Sequence, residues 1–337
     1  MIKEFNPLRA ILIIFIFLHH RGVWEGAGGM AVACFFVRGG FCSALGYVDK
    51  VRRPDFHYGQ YLVGRLVKYY PLHWLYLSIS LLVGGGLFIK GLIANAVLLQ
   101  SWVPIMNVYF SYNAVSWYLS DVVFFVWICP FLLRFFSSRS TRQVVVALLL
   151  LMVSYVIGTL FVPTHWRHAL LYINPLSRMF DFSVGLVSGL LYLRWRDGIS
   201  LSKAATLLVG GGTLGGLIVL SLFIPESMRA IPYIYWPFSM MLLGTLAFGA
   251  GKVSWLSHPI LQKMGECSFS FYMAHLLCIQ IFGVLLERMG VSVHWVATCL
   301  LLLITMGVAW ISRNYFEIPV TRWLKSQTNQ LFTTARL

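Results

Sequence analysis

Apolar residues run through this chain in long blocks that neither alternate with polar ones nor leave a polar face. Val144–Leu151 and Leu300–Ile304 are apolar at every position, which excludes the alternating pattern of a transmembrane β-barrel. Blocks of 18 or more such residues are long enough to cross roughly 30 Å of hydrocarbon as helices, which satisfy their own backbone within one segment. The pattern predicts an all-α, polytopic integral membrane protein of about ten transmembrane helices. The expected spans are 8–24, 28–48, 69–89, 117–136, 143–162, 176–194, 204–224, 229–250, 268–288 and 294–313. The stretch 91–103 is apolar but short and reads as re-entrant or interfacial. The first apolar run, Leu8 to Leu18, ends in His19, His20 and Arg21 with no small-residue cleavage pattern, so it reads as a membrane helix and not a signal peptide.

Composition agrees with this reading. Of 337 residues, 59% are hydrophobic and 11% charged, against about a quarter charged in soluble domains. The net charge of +15 would suit a nucleic-acid partner, but its distribution assigns it to topology. With the N-terminus inside, 19 of the 26 lysines and arginines fall in inside segments and 5 outside, so both termini are expected to be cytoplasmic. Residues 1–325 read as one transmembrane domain and 326–337 as a short cytoplasmic tail. The six cysteines form no CxxC pair and sit mostly in apolar runs, so no metal site is expected.

Ionisable groups within spans are costly and mark sites or internal pairs. Arg9 and His20 are eleven residues apart, which returns to within roughly 20° on a helix and separates them by roughly 16 Å along the axis. A cation near the inner end and a proton-transfer group near the outer end suit an elongated anionic ligand threaded through the bilayer. Anchoring and interfacial roles are the alternative. Arg38 lies mid-span before the Gly39-Gly40 pair and needs partners, Asp121 or Asp181 among them. These aspartates are equally able to orient a histidine, bind a sugar hydroxyl or pair with Arg38 and Arg178. His275 reads as a hydrogen-bonded core histidine. Arg65 and Lys68 share one helix face at the inner end of the third span and suit a phosphate-bearing ligand or ordinary anchoring.

Taken in order, these segments resemble the membrane-bound acyltransferase family 3, the polysaccharide and lipid-glycan O-acyltransferases. Arg9-x10-His20 resembles that family's Arg-x10-His, and Phe35-Phe36-Val37-Arg38-Gly39-Gly40-Phe41 its Phe-Phe-aliphatic-x-Ser-Gly-Phe. Arg65-Leu66-Val67-Lys68-Tyr69-Tyr70-Pro71 resembles Arg-x-x-Arg-x-x-Pro, and Trp117-Tyr118-Leu119-Ser120-Asp121 a Trp-aromatic-Leu-Ser segment. Arg178-Met179-Phe180-Asp181-Phe182 with Gly185, Ser270-Phe271-Tyr272-Met273-Ala274-His275 and Phe316-Glu317-Ile318-Pro319 complete the series. Gly39, Arg38 and Lys68 depart from the family pattern, and Lys68 keeps the charge but loses the bidentate fork of arginine.

The resemblance implies a multi-pass enzyme of the cell (inner or plasma) membrane. It would move an acyl group, most often acetyl, from cytoplasmic acyl-CoA to a hydroxyl of a cell-surface polysaccharide or glycolipid. On that reading His20 is the general base. Arg9 or Arg38 meets the oxyanion, and Asp121 or Asp181 orients the histidine. Arg65, Lys68, Arg38, Trp117, Arg178 and His275 contact substrate. Acetyl-CoA enters as donor substrate, with no tightly bound cofactor and no nucleic-acid partner; membrane lipid is the surrounding partner. A transporter of a polar solute or lipid-linked sugar would also use buried Arg and Asp but show flux without acyl-CoA turnover, and a non-catalytic membrane partner would tolerate neutral replacement of Arg9 and His20 together.

Overall fold

A computed structural model describes residues 2–84, 86–291 and 293–334. Among them there is no strand. The principal helices are α1 (Phe5–His20), α2 (Ala27–Val51), α3 (Tyr58–Gly84), α4 (Ile89–Ala96), α5 (Trp117–Ser137) and α6 (Thr141–Leu160). They continue with α7 (Pro175–Trp195), α8 (Lys203–Phe223), α9 (Trp236–Phe248), α10 (Pro259–Arg288), α11 (His294–Ile311) and α12 (Ile318–Thr334). Arg336 lies outside the described residues, as does part of the expected tail.

Among the described residues, seven helices are long and apolar enough to cross a membrane by themselves. Three of the expected spans fall short. The first is an apolar helix of 16 residues, α9 has 13, and α3 is not among the seven. The third span also begins earlier than the apolar pattern implies: α3 starts at Tyr58 and runs through Pro71, so Arg65 and Lys68 lie within its body. The structure is thus that of a multi-pass membrane protein.

The chain divides into two compact units. One holds the residues up to Phe56 and Trp127–Glu266; the other holds His57–Val126 and the residues from Cys267 onward. In the first, α2 and α7 cross at backbone contact. A Cβ on Gly185 would sit 1.7 Å from the Val37 carbonyl oxygen, and one on Gly40 would sit 1.9 Å from that of Phe182. Only glycine admits that approach, and small residues at such crossings are how membrane helices gain packing without a hydrophobic drive. Gly39, the other half of the pair, meets only an ordinary contact with Phe182 at 3.9 Å.

In the second unit the segment after α3 is held by polar side chains. His73 Nε2 meets the Asn95 carbonyl at 2.7 Å, Asn95 Nδ2 donates to Ser111 Oγ at 2.7 Å, and Ser116 Oγ donates to Asn95 Oδ1 at 2.9 Å. Gln100 Nε2 donates to Ser116 Oγ at 3.1 Å. Backbone that is not helical at membrane depth needs such partners. The stretch expected to be re-entrant or interfacial is therefore a short helix followed by turns, with left-handed Leu98 (φ 57°) and Tyr112 (φ 59°) closing them.

Candidate functional site

Arg9 and His20 stand on one uninterrupted helix, α1, so the stripe anticipated from their spacing exists as continuous helical geometry. The positions between them on that stripe, Ile13 and Ile16, are each 1% exposed, and α1 packs along α2. Arg9 is half-buried and His20 is exposed at the end of the helix. His20 Nδ1 lies 2.9 Å from the Ile16 carbonyl oxygen. A carbonyl only accepts, so Nδ1 carries the proton and the neutral ring keeps its lone pair on Nε2. At Nδ1, then, His20 is met by its own backbone. His19 Nδ1 makes the same kind of contact with the Glu25 carbonyl, at 2.7 Å.

Asp181 is engaged elsewhere. Arg178 Nη2 lies 2.9 Å from Asp181 Oδ2, one helical turn apart on α7, and both side chains are 0% exposed. The Trp236 indole N–H donates to Asp181 Oδ1. The guanidinium carbon of Arg178 is 4.8 Å from the centre of the Phe36 ring and 5.4 Å from that of Tyr172. Asp181 is therefore a pairing carboxylate for a buried cation, the structural alternative already open in the sequence. Arg38 takes a different place: its guanidinium carbon lies 5.9 Å from the ring of Phe5, the first residue of α1. That puts it at the Arg9 end of α1, about fifteen residues and roughly 22 Å of helix rise from His20.

The second unit holds the other candidates. Arg65 and Lys68 flank one ring: the Arg65 guanidinium carbon is 5.9 Å and Lys68 Nζ 5.7 Å from the centre of Tyr69. His275 is 0% exposed, with Nδ1 2.6 Å from the Tyr272 carbonyl and its ring stacked on Phe271. The Trp117 carbonyl accepts from Ser101 Oγ at 2.7 Å, and Asp121, on the first turns of α5, is buried. The sequence reading missed His73, buried at 0% on α3. It also missed the aromatic group of Tyr172, Tyr235 and Trp236 around Arg178; the run Pro232-Tyr233-Ile234-Tyr235-Trp236-Pro237 is its only linear trace.

The fold defines a multi-pass helical membrane protein with buried charge in its helices. A profile of the acyltransferase domain matches residues 2–313, and the chain belongs to that family, the membrane-bound acyltransferase family 3. The acyltransferase MdmB of Streptomyces mycarofaciens is 25% identical over 279 residues, covering 75% of this chain and 68% of the relative. No solved structure matches the chain. The protein is accordingly a membrane acyltransferase, which favours the enzyme over the transporter or a non-catalytic partner.

Proposed function

We propose that the protein is an O-acyltransferase that moves an acyl group, acetyl first among candidates, from cytoplasmic acyl-CoA to a hydroxyl of a cell-surface polysaccharide or lipid-linked glycan. The observation carrying this reading is the α1 stripe: a cation and an imidazole on one continuous helix, in a chain of the acyltransferase family. We further propose ten spans in the cell membrane, the seven long apolar helices together with α1, α3 and α9, with both termini cytoplasmic. The lysine and arginine distribution supports that orientation.

In the proposed reaction His20 Nε2 takes the proton of the acceptor hydroxyl, because an alcohol attacks a thioester poorly until a neighbour accepts its proton. The new acyl–oxygen bond forms as the carbon–sulfur bond breaks, and the CoA thiolate leaves with the electron pair and is protonated. Arg9 is a poor candidate for the oxyanion partner at that bond, since roughly 16 Å of helix separates it from His20. Its role, shared with Arg38 at the same end of α1, is to hold the donor. In the second unit, Arg65 and Lys68 supply two cations over Tyr69, a chemistry suited to the phosphates of CoA.

The test uses labelled acetyl-CoA and membranes containing the full chain. His20→Ala is expected to lose transfer of label into glycan while inserting in membrane at the wild-type level. Full transfer by that variant would remove the proposed base.

A further inference from the structure

Arg178 is wholly buried, yet its Nε and Nη1 have no hydrogen-bond partner among the described residues, nor does the hydroxyl of Tyr235, also 0% exposed. Buried donors left unmade cost free energy, so an arrangement of several invites a ligand or ordered water. These atoms belong to one cluster. Tyr235 immediately precedes Trp236, whose indole N–H donates to Asp181, the carboxylate paired with Arg178, and its turn, Pro232–Tyr235, packs against α2 and α7. Tyr172 comes from a π-helical turn, His168–Ile173, which leads into α7 and sets the phenol against the guanidinium. Such turns recur at functional sites.

A chain of contacts within the first unit ties this cluster to the histidine end of α1. His19 meets the Glu25 carbonyl at 2.7 Å, and Arg229 Nη1 meets Glu25 Oε2 at 2.6 Å. Gly29 brings the backbone in, since a Cβ there would be 2.8 Å from the Arg229 carbonyl oxygen and 3.8 Å from Tyr172 Cε2. Tyr172 is half-buried, whereas Arg178 and Tyr235 are each 0% exposed.

Resting on the acceptor chemistry just proposed, we infer that Arg178, Tyr235 and Tyr172 form an acceptor subsite for an uncharged, hydroxyl-bearing ring, rimmed by the Glu25–Arg229 pair. Charge decides the class. Each guanidinium already faces a carboxylate, Asp181 for Arg178 and Glu25 for Arg229, so no net positive charge is left to reward an anionic sugar. What remains is the three N–H bonds of Arg178 Nε and Nη1 and the Tyr235 hydroxyl, beside the Tyr172 ring, which suit the hydroxyl oxygens of an uncharged ring. A uronate would bring its carboxylate against Asp181 and Glu25.

The experiment titrates the full chain in lipid nanodiscs with matched pairs of methyl glycosides and their uronic acids, gluco and galacto, reading tryptophan fluorescence. The neutral member of at least one pair is expected to bind about tenfold more tightly than its uronate. Tyr235→Phe is expected to weaken that binding about five- to tenfold without lowering the thermal midpoint, because the hydroxyl removed has no protein partner. A hydroxyl with a structural role would lower the midpoint and leave the neutral-to-uronate ratio untouched. His20→Ala is expected to bind the neutral glycoside normally while failing to transfer label. Equal or tighter uronate binding, an unchanged Tyr235→Phe affinity, or no glycoside binding by the wild type would each overturn the subsite. Selective binding by a wild type that transfers no acyl group would instead overturn the proposed reaction and leave the subsite standing.

Discussion

Arg38 and Arg178 are both mid-helix arginines of the first unit, on helices that touch backbone to backbone, and they are solved differently. Arg178 is fully buried and carries its counterion one turn away on its own helix, with an indole fixing the carboxylate. Arg38 is half-buried, lies over Phe5 and has a hydrogen-bond-free Nε among the described residues. A guanidinium cannot shed its proton, so full burial requires a matched carboxylate, whereas partial exposure tolerates an aromatic face instead. The contrast separates a cation whose charge is matched inside the fold, leaving it only neutral donors, from one whose charge is still available to an anionic ligand.

Breaking the pair tests that contrast most severely. Asp181→Ala leaves an uncompensated buried charge and is expected to cost about 3–5 kcal/mol, read as a large drop in the thermal midpoint in detergent. Replacing both partners at once, Arg178→Met with Asp181→Leu, is expected to recover most of that loss, since apolar residues of similar volume often match a buried ion pair. It would do so without restoring the neutral-glycoside binding assigned to Arg178. An Asp181→Ala protein as stable as wild type would mean that the buried pair is not holding the unit together. In the second unit, Arg65→Gln with Lys68→Gln is expected to raise the KM for acyl-CoA about tenfold and to weaken its dependence on salt, while leaving folding intact. Arg38→Ala is the smallest change: less than about 1 kcal/mol in stability, because Arg38 faces an aromatic ring and retains access to solvent.

Much of the helical order was legible because membrane spans are written in composition as well as in periodicity. The continuous α1 stripe follows from a spacing of eleven residues, and the close crossing at Gly40 from a glycine in an apolar run. Less legible was α3, whose first turns carry Tyr, Gln and Arg and so look polar, although the helix begins at Tyr58. The partner of Arg178 was only one of several possibilities in the sequence, since Asp181 three residues on could as well have faced a histidine. His20 turned out to be held by its own backbone at Ile16, a contact that any helix offers and no motif announces. Tyr235 and Tyr172 could not be found from the sequence. Tyr235 comes to the Arg178–Asp181 pair from more than fifty residues on, beside the indole of Trp236, and Tyr172 by a π-helical turn.

The central claim is that the two ends of α1 do different work, Arg9 on the donor and His20 on the reacting hydroxyl. Steady-state kinetics of Arg9→Ala and His20→Ala in the same membranes measure this directly. The account predicts that Arg9→Ala raises the KM for acyl-CoA about tenfold with kcat nearly kept, and that His20→Ala lowers kcat by about 10²-fold or more while acyl-CoA binding is unchanged. Equal losses of kcat in both variants, or wild-type turnover without the imidazole, would contradict it.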